Sequence, residues 1–176
     1  MSTVLYILLG IILLVILLGL IAPKSYAVSR SIIINKSQSE VFGYLKLLKN
    51  QDQWSPWGER DPNMKKTFTG TDGKVGFISA WESDHKQVGS GEQEITGVVE
   101  NEEISTQLRF LKPFKSTSEA YMKVSESDNN STEVIWGFSG RNKFPMSIMM
   151  LFMNMDKAVG KDFEQGLAKL KTILEK

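Results

Sequence analysis

The sequence predicts an α+β fold: one curved antiparallel sheet of about seven strands around a long C-terminal helix, preceded by one N-terminal transmembrane helix. Three observations carry that prediction. The first 22 residues hold no charged side chain. Between Lys65 and Arg141 the chain is almost entirely β-type runs separated by turn residues. From Phe144 to Glu175 apolar residues recur at intervals of three and four.

In the first segment, fifteen of the nineteen residues from Val4 to Ala22 are Leu, Ile or Val. As a helix they rise roughly 28 Å, close to the ~30 Å hydrocarbon core of a bilayer. Each aliphatic contributes about −0.3 to −0.6 kcal/mol near the bilayer centre, so insertion is favourable by several kcal/mol. A cleaved signal peptide is the competing reading, with Ser25-Tyr26-Ala27 as a weak cleavage-like site. The run is longer than the usual apolar core of such a peptide, and no Lys or Arg precedes it. The expectation is therefore an uncleaved, single-pass anchor over residues 1–23, with 4–22 in the membrane and a domain over 24–176. Lys24, Arg30 and Lys36 follow the span, which by the positive-inside rule places that domain in the cytoplasm. The absence of cysteine fits a reducing compartment.

All 21 basic and 20 acidic residues lie beyond the span, for a net charge of +1. That balance predicts no nucleic-acid partner, which would need a basic face to neutralise phosphates. "SYAVSRSIIIN" is rich in β-branched residues and reads as a strand. Ser37 or Ser39 can cap the next helix, "SEVFGYLKLLKN", with Glu40 in its first turn. In "NQDQWSPWGERDPN", Pro56 disfavours helix at Ser55 and forces a turn between Trp54 and Trp57.

Six strand segments follow at hairpin spacing: "KKTFTG", "KVGFISAWES", "GEQEITGVV", "ISTQLRFL", "FKSTSEAYMKVSE" and "TEVIWGFSG". Alternation places Val75, Phe77 and Trp81 on one face, and Val134, Trp136 and Phe138 likewise. The closing helix is expected from about Phe144 to Glu175, with a stripe of Ile148, Phe152, Met155, Val159, Phe163, Leu167, Leu170 and Leu174. Gly160 and Gly166 cost about 1 kcal/mol each against alanine, which predicts tight packing against the sheet. A bent sheet gripping a straight helix cannot meet it along its whole length, so a gap is the expected site.

The order of these elements, and "SRSIIIN", "EVFGYLKLLKNQDQWSPW", "FLKPFKSTSEAYMKV", "WGFSG" and "GKDFEQGLAKLK", resemble the START-like SRPBCC superfamily of polyketide cyclase/dehydrase and lipid-transport proteins. Bacterial members with one N-terminal span before the first strand are particularly similar. The resemblance covers residues 24–176 and implies a helix-grip fold whose cavity takes apolar ligands. It implies no reaction, because such folds host carriers, receptors and enzymes alike.

Motifs for catalysis are missing from the sequence. His85 is the single histidine, in a charged stretch before a Gly-Ser-Gly turn, and no cysteine is available to pair with it. Neither a zinc-ligand spacing nor a phosphate-binding glycine loop occurs, so no metal and no cofactor is expected. Arg109 alternates away from Leu108 and Phe110 toward solvent, and Arg141 reads first as a solvated charge at a strand end, with contact to a polar head group at the rim as the alternative. The remaining signal is an excess of large, soft apolar groups. The expected cavity residues are Trp54, Trp57, Phe77, Trp81, Phe110, Tyr121, Trp136, Phe138, Phe152 and Met155. Trp54 and Trp57 are expected to close one end of the cavity, held apart by Pro56. The run "MSIMMLFMNM" adds flexible thioethers suited to promiscuous apolar surfaces. The expected function is a membrane-anchored binding module for a hydrophobic small molecule or lipid. Two alternatives stand beside it: an enzyme of cyclase or dehydratase type using an acid or base such as Glu82 or Tyr121, and a protein-interaction module using the methionine-rich segment.

Overall fold

The computed structural model describes residues 2–176. Helix α1 (Ser2–Ile21) is the apolar segment, and it is long and apolar enough to cross a membrane. Strand β1 (Ser25–Ile34) follows after Pro23-Lys24, where proline ends the helix. Helix α2 (Gln38–Leu45) starts in a capping box: Ser37 Oγ accepts from the Glu40 backbone N–H, and the Glu40 carboxylate accepts from the Ser37 backbone N–H. A 3₁₀ turn (Leu48–Gln53) and helix α3 (Pro56–Arg60) follow, with Pro56 at the first turn of α3. Strands β2 (Lys65–Thr69), β3 (Ile78–Glu82), β4 (Ser90–Val99), β5 (Glu103–Lys112), β6 (Ser116–Ser127) and β7 (Ser131–Arg141) come next. Helix α4 (Met146–Met149) and helix α5 (Met155–Leu174) end the chain.

The seven strands form one sheet in the order β1-β7-β6-β5-β4-β3-β2, every pair antiparallel. The free edges are therefore β1 and the five-residue β2. Two register shifts bend β4, one between Ser90 and Gly91 and one between Ile95 and Gly97. Such bulges tighten the twist and curl the sheet around its inner face.

Pairing register puts the sheet ends in two rows. Ser25, Arg141, Ser116, Lys112, Ser90 and Glu82 line one end, because they terminate successive partners. Ile34, Thr132, Glu103 and Val99 lie toward the other. Helix α5 runs from the first end to the second, where Asn35 N–H donates to Glu175 at 2.6 Å and Lys171 Nζ donates to the Ile33 carbonyl at 2.8 Å. At this second end the core is solid: Ile34, Val41, Phe42, Ile104, Val134 and Leu170 are fully buried between the sheet, α2 and α5. Among the described residues, none of α1 belongs to that core cluster.

Two expectations are corrected here. The closing helix is not continuous from Phe144. Asn154 breaks it, accepting from the Lys157 backbone N–H at 3.0 Å to cap α5, so Ile148 and Phe152 lie outside its stripe. Val75 does not share the face of Phe77 and Trp81. It sits in a turn before β3, where Gly76 has φ of 86°, and it is exposed. The glycines of α5 do pack tightly. A Cβ on Gly166 would stand 2.9 Å from Trp136 Cζ3 and 3.2 Å from Pro56 Cδ, and one on Gly160 would overlap the Arg30 guanidinium.

Candidate functional site

At the first end of the sheet the helix and the strands do not meet. A cavity of about 950 Å³ lies between the inner faces of β3 to β7, the first half of α5, and the 3₁₀ turn with α3. That volume suits a ligand of drug or lipid-chain size.

Its inner wall is an aromatic stack. Trp136 of β7 lies parallel to Phe163 of α5 with ring centroids 4.0 Å apart. Trp57 stands edge-on to both, at 5.9 and 6.2 Å. Phe138 closes against Phe163 at 5.8 Å and against Tyr26 at 5.2 Å. Edge-to-face and offset contacts at these distances each add about 0.5–1.5 kcal/mol beyond area burial. On the opposite wall Trp81 meets Phe110 at 6.1 Å and donates its indole N–H to the Val88 carbonyl at 3.4 Å. Gly91 makes room for that indole: a Cβ there would come within 2.7 Å of Trp81 Cζ2.

A few polar groups face the same space. Gln93 Nε2 donates to Thr106 Oγ1 at 3.1 Å, and Thr106 Oγ1 donates to the Ala120 carbonyl at 3.3 Å. Tyr26 Oη and Ser118 Oγ share a hydrogen bond of 2.8 Å. The Gln93 carbonyl oxygen and the Tyr26 hydroxyl keep acceptor capacity for a ligand. The mouth is formed by the β5–β6 turn, with Leu111 and Phe114, and by the segment around α4, with Met146, Met149, Met150 and Met153.

Of the ten expected cavity residues, Trp57, Trp81, Phe110, Trp136, Phe138 and Met155 line this space. Four do not. Trp54 is 1% exposed and packs edge-on behind Trp136 at 4.8 Å, so it belongs to the core and not to the end wall. Its indole N–H is buried without a partner among the described residues. Phe77 is likewise core, stacked on Phe68 at 6.1 Å. Tyr121 alternates with buried Ala120 and Met122, so it occupies the outer face of β6, lying over Gly137. Phe152 is 83% exposed because the helix has already broken there. Met64, Phe163 and Val159 line the cavity without having been singled out as ligand contacts; Phe163 and Val159 were legible only as helix stripe.

Charge beside the apolar wall is paired: Lys66, opposite Trp81 on β2, lines the cavity together with its ion-pair partner Asp52. Arg109 projects from the outer face, where Glu92 Oε1 accepts at 2.5 Å and Glu94 lies at 2.7 Å, and these hydrogen bonds raise its pKa above the ordinary value. Arg30 is the cation on the inner face of β1. It binds Asp156 through two nitrogens at 2.8 and 3.0 Å and Glu164 at 2.6 Å. Those bonds raise the Arg30 pKa, with Asp156 the larger cause, and hold the Asp156 carboxyl below the usual range. The cluster pins the start of α5 to β1, beside the cavity and not in it. Arg141 and Lys143 stand at the mouth, together with Lys86, Lys112 and Lys115.

No protein-family model matches this sequence, and no curated protein does. Solved structures do resemble it. A Rhizobium loti protein superposes with a TM-score of 0.61 at 14% identity, covering 84% of this chain and 96% of its own. The Aha1 dimer structure from Colwellia psychrerythraea gives 0.57 at 14%, covering 85% and 96%. Ara h 8.0201 gives 0.57 at 9%, covering 85% and 97%. At such identities the likeness speaks of architecture only. The sheet, its strand order and the gripped C-terminal helix give this chain the helix-grip, START-like fold.

Proposed function

We propose that the protein is a membrane-tethered binding module that holds a hydrophobic small molecule or a lipid chain in the cavity between its sheet and α5. One observation carries this reading. A partly open cavity of about 950 Å³ lies between sheet and helix, and the rings of Trp57, Trp81, Phe110, Trp136, Phe138 and Phe163 line it. A concave, mostly apolar cavity of this size with a few polar groups is the usual form of a small-ligand site.

The tether follows from α1. Residues 4–22 cross the bilayer once, 1–23 serve as the anchor and 24–176 as the binding domain, held on the cytoplasmic side by Lys24, Arg30 and Lys36. Membrane attachment keeps the cavity at high effective concentration beside membrane-dissolved ligands. The bacterial single-span branch of the SRPBCC superfamily is the group this arrangement fits.

Native mass spectrometry on residues 24–176, purified gently from cells, tests the binding claim. The expected result is a bound apolar species of a few hundred daltons, displaceable by a fluorescent fatty acid. Protein recovered empty that also ignores a panel of such probes overturns it.

A further inference from the structure

We infer that the mouth of the cavity is a membrane-docking rim that dips into an anionic lipid leaflet, so that the cavity opens directly to the bilayer. The inference rests on the membrane tether proposed above, and not on the identity of the ligand.

The register of the sheet supplies the geometry. The chain leaves α1 at Ile21 and enters β1 at Ser25, and Ser25 pairs with Arg141 at the end of β7. The row of strand ends containing Ser25 is therefore the row nearest the membrane, and the cavity opens at that row. The junction is short and doubly tied. Asn142 N–H donates to the Lys24 carbonyl at 2.9 Å, its side-chain amide donates to the Pro23 carbonyl at 3.3 Å, and the Phe144 ring lies 3.0 Å from where a Cβ on Gly19 would stand. This holds the segment around α4 against the last turns of the anchor.

What the row presents fits a lipid surface. Leu111, Phe114, Phe144, Met149, Phe152 and Met153 are all exposed, between 43 and 83%. They come from two segments, the β5–β6 turn and the stretch flanking α4; Leu111, Phe114, Met149 and Met153 line the mouth itself, and Phe144 and Phe152 belong to the same stretch around α4. Large apolar side chains displayed together mark an interaction surface, here continuous with a membrane span. A collar of cations surrounds them: Lys24, Lys86, Lys112, Lys115, Arg141 and Lys143. Of these only Lys112 has an acidic partner within 4 Å among the described residues, Glu82 at 3.8 Å, and Asp84 is the other acid on the nearby β3–β4 connection. Cations beside exposed apolar groups complement an anionic leaflet, to which each adds about fivefold in partitioning. The opposite end of the domain differs. Its shallow cleft is lined by Ser37, Gln38, Asn101, Glu126 and Ser131 and suits water.

The chain has no cysteine, so single cysteines can be placed on the full-length protein. An environment-sensitive dye is attached at Phe114→Cys, Phe152→Cys and, at the far end, Glu126→Cys, and each protein is reconstituted into vesicles with and without phosphatidylglycerol. Alkaline extraction first confirms integral attachment, so a failed tether is separated from a failed rim. The expected result is quenching by acyl-chain spin labels at 114 and 152 but not at 126, with the reverse for aqueous iodide. The Lys115→Glu/Lys143→Glu pair should weaken the quenching at 114 severalfold, as should omission of the anionic lipid. Iodide access at 114 and 152 equal to that at 126 overturns the inference. Protection from iodide without spin-label quenching also overturns it, because a protein partner then covers the rim. Quenching that ignores both the charge reversal and the lipid charge removes the anionic leaflet as the partner.

Discussion

Gly166 shows how one missing side chain holds the aromatic wall in place. Its position faces Trp136, which is already boxed in by Trp54, Trp57 and Phe163. Gly166→Ala gains about 1 kcal/mol of helix propensity and loses about 1–3 kcal/mol to overpacking. The expected net effect is destabilisation that lowers Tm by a few degrees, read by thermal unfolding of residues 24–176. Gly160→Ala would overlap the Arg30 guanidinium, which Asp156 and Glu164 hold in place, so it should displace that cluster and lower Tm at least as much. The two tryptophans of "WSPW" have separate roles. Trp54→Ala empties a fully buried site and should cost about 3–5 kcal/mol, while Trp57→Ala should cost less stability but weaken binding of an apolar probe about tenfold or more. Unfolding curves and probe titrations on the two variants separate these roles. Sequence could identify both indoles as unusual at a proline turn. It could not assign one to the core and one to the cavity, because that depends on which side of α3 the chain enters from. Tyr121 illustrates the same gap: its composition fits a pocket, yet parity within β6 turns it outward.

At the scale of elements, the attachment of α5 to β1 is partly electrostatic. Asp156 in the first turn of α5 binds Arg30, which lowers the Asp156 pKa in the folded state. A lowered folded pKa gives stabilisation that is fully present above the unfolded value near 3.9 and is lost as pH falls through the folded value. Acidification below about pH 4 should therefore loosen the start of α5, and Asp156→Asn should flatten that acid limb of a Tm-against-pH curve. Both groups are solvent-accessible, so added salt should weaken the effect. Strand positions were readable from alternation because each strand buries one face of a single sheet. The start of α5 was not. "MSIMMLFMNM" keeps helical spacing of apolar residues, and only the cap made by Asn154 reveals that the helix begins afresh.

For the whole molecule, the division between anchor and domain is testable by deletion. The buried cluster runs from Val28 to Leu170 and, among the described residues, includes nothing from α1. Removing residues 1–23 should release the protein from membranes while leaving its far-ultraviolet circular dichroism that of a folded sheet and helix, with Tm changed by only a few degrees. Loss of the cooperative transition would show that α1 is part of the fold. The existence of a hollow was legible in the sequence as a mismatch between a bent layer and a straight rod. Its place at the strand ends nearest α1 was not, since that follows from pairing register across all seven strands. The order of those strands has one more outcome. Proteins confined to two dimensions meet often, and an unpaired β margin invites them to polymerise. The outermost strand β2 is only five residues long and begins with the exposed Lys65, so neighbouring copies meet mutual repulsion at that edge before they can extend one another's ladders.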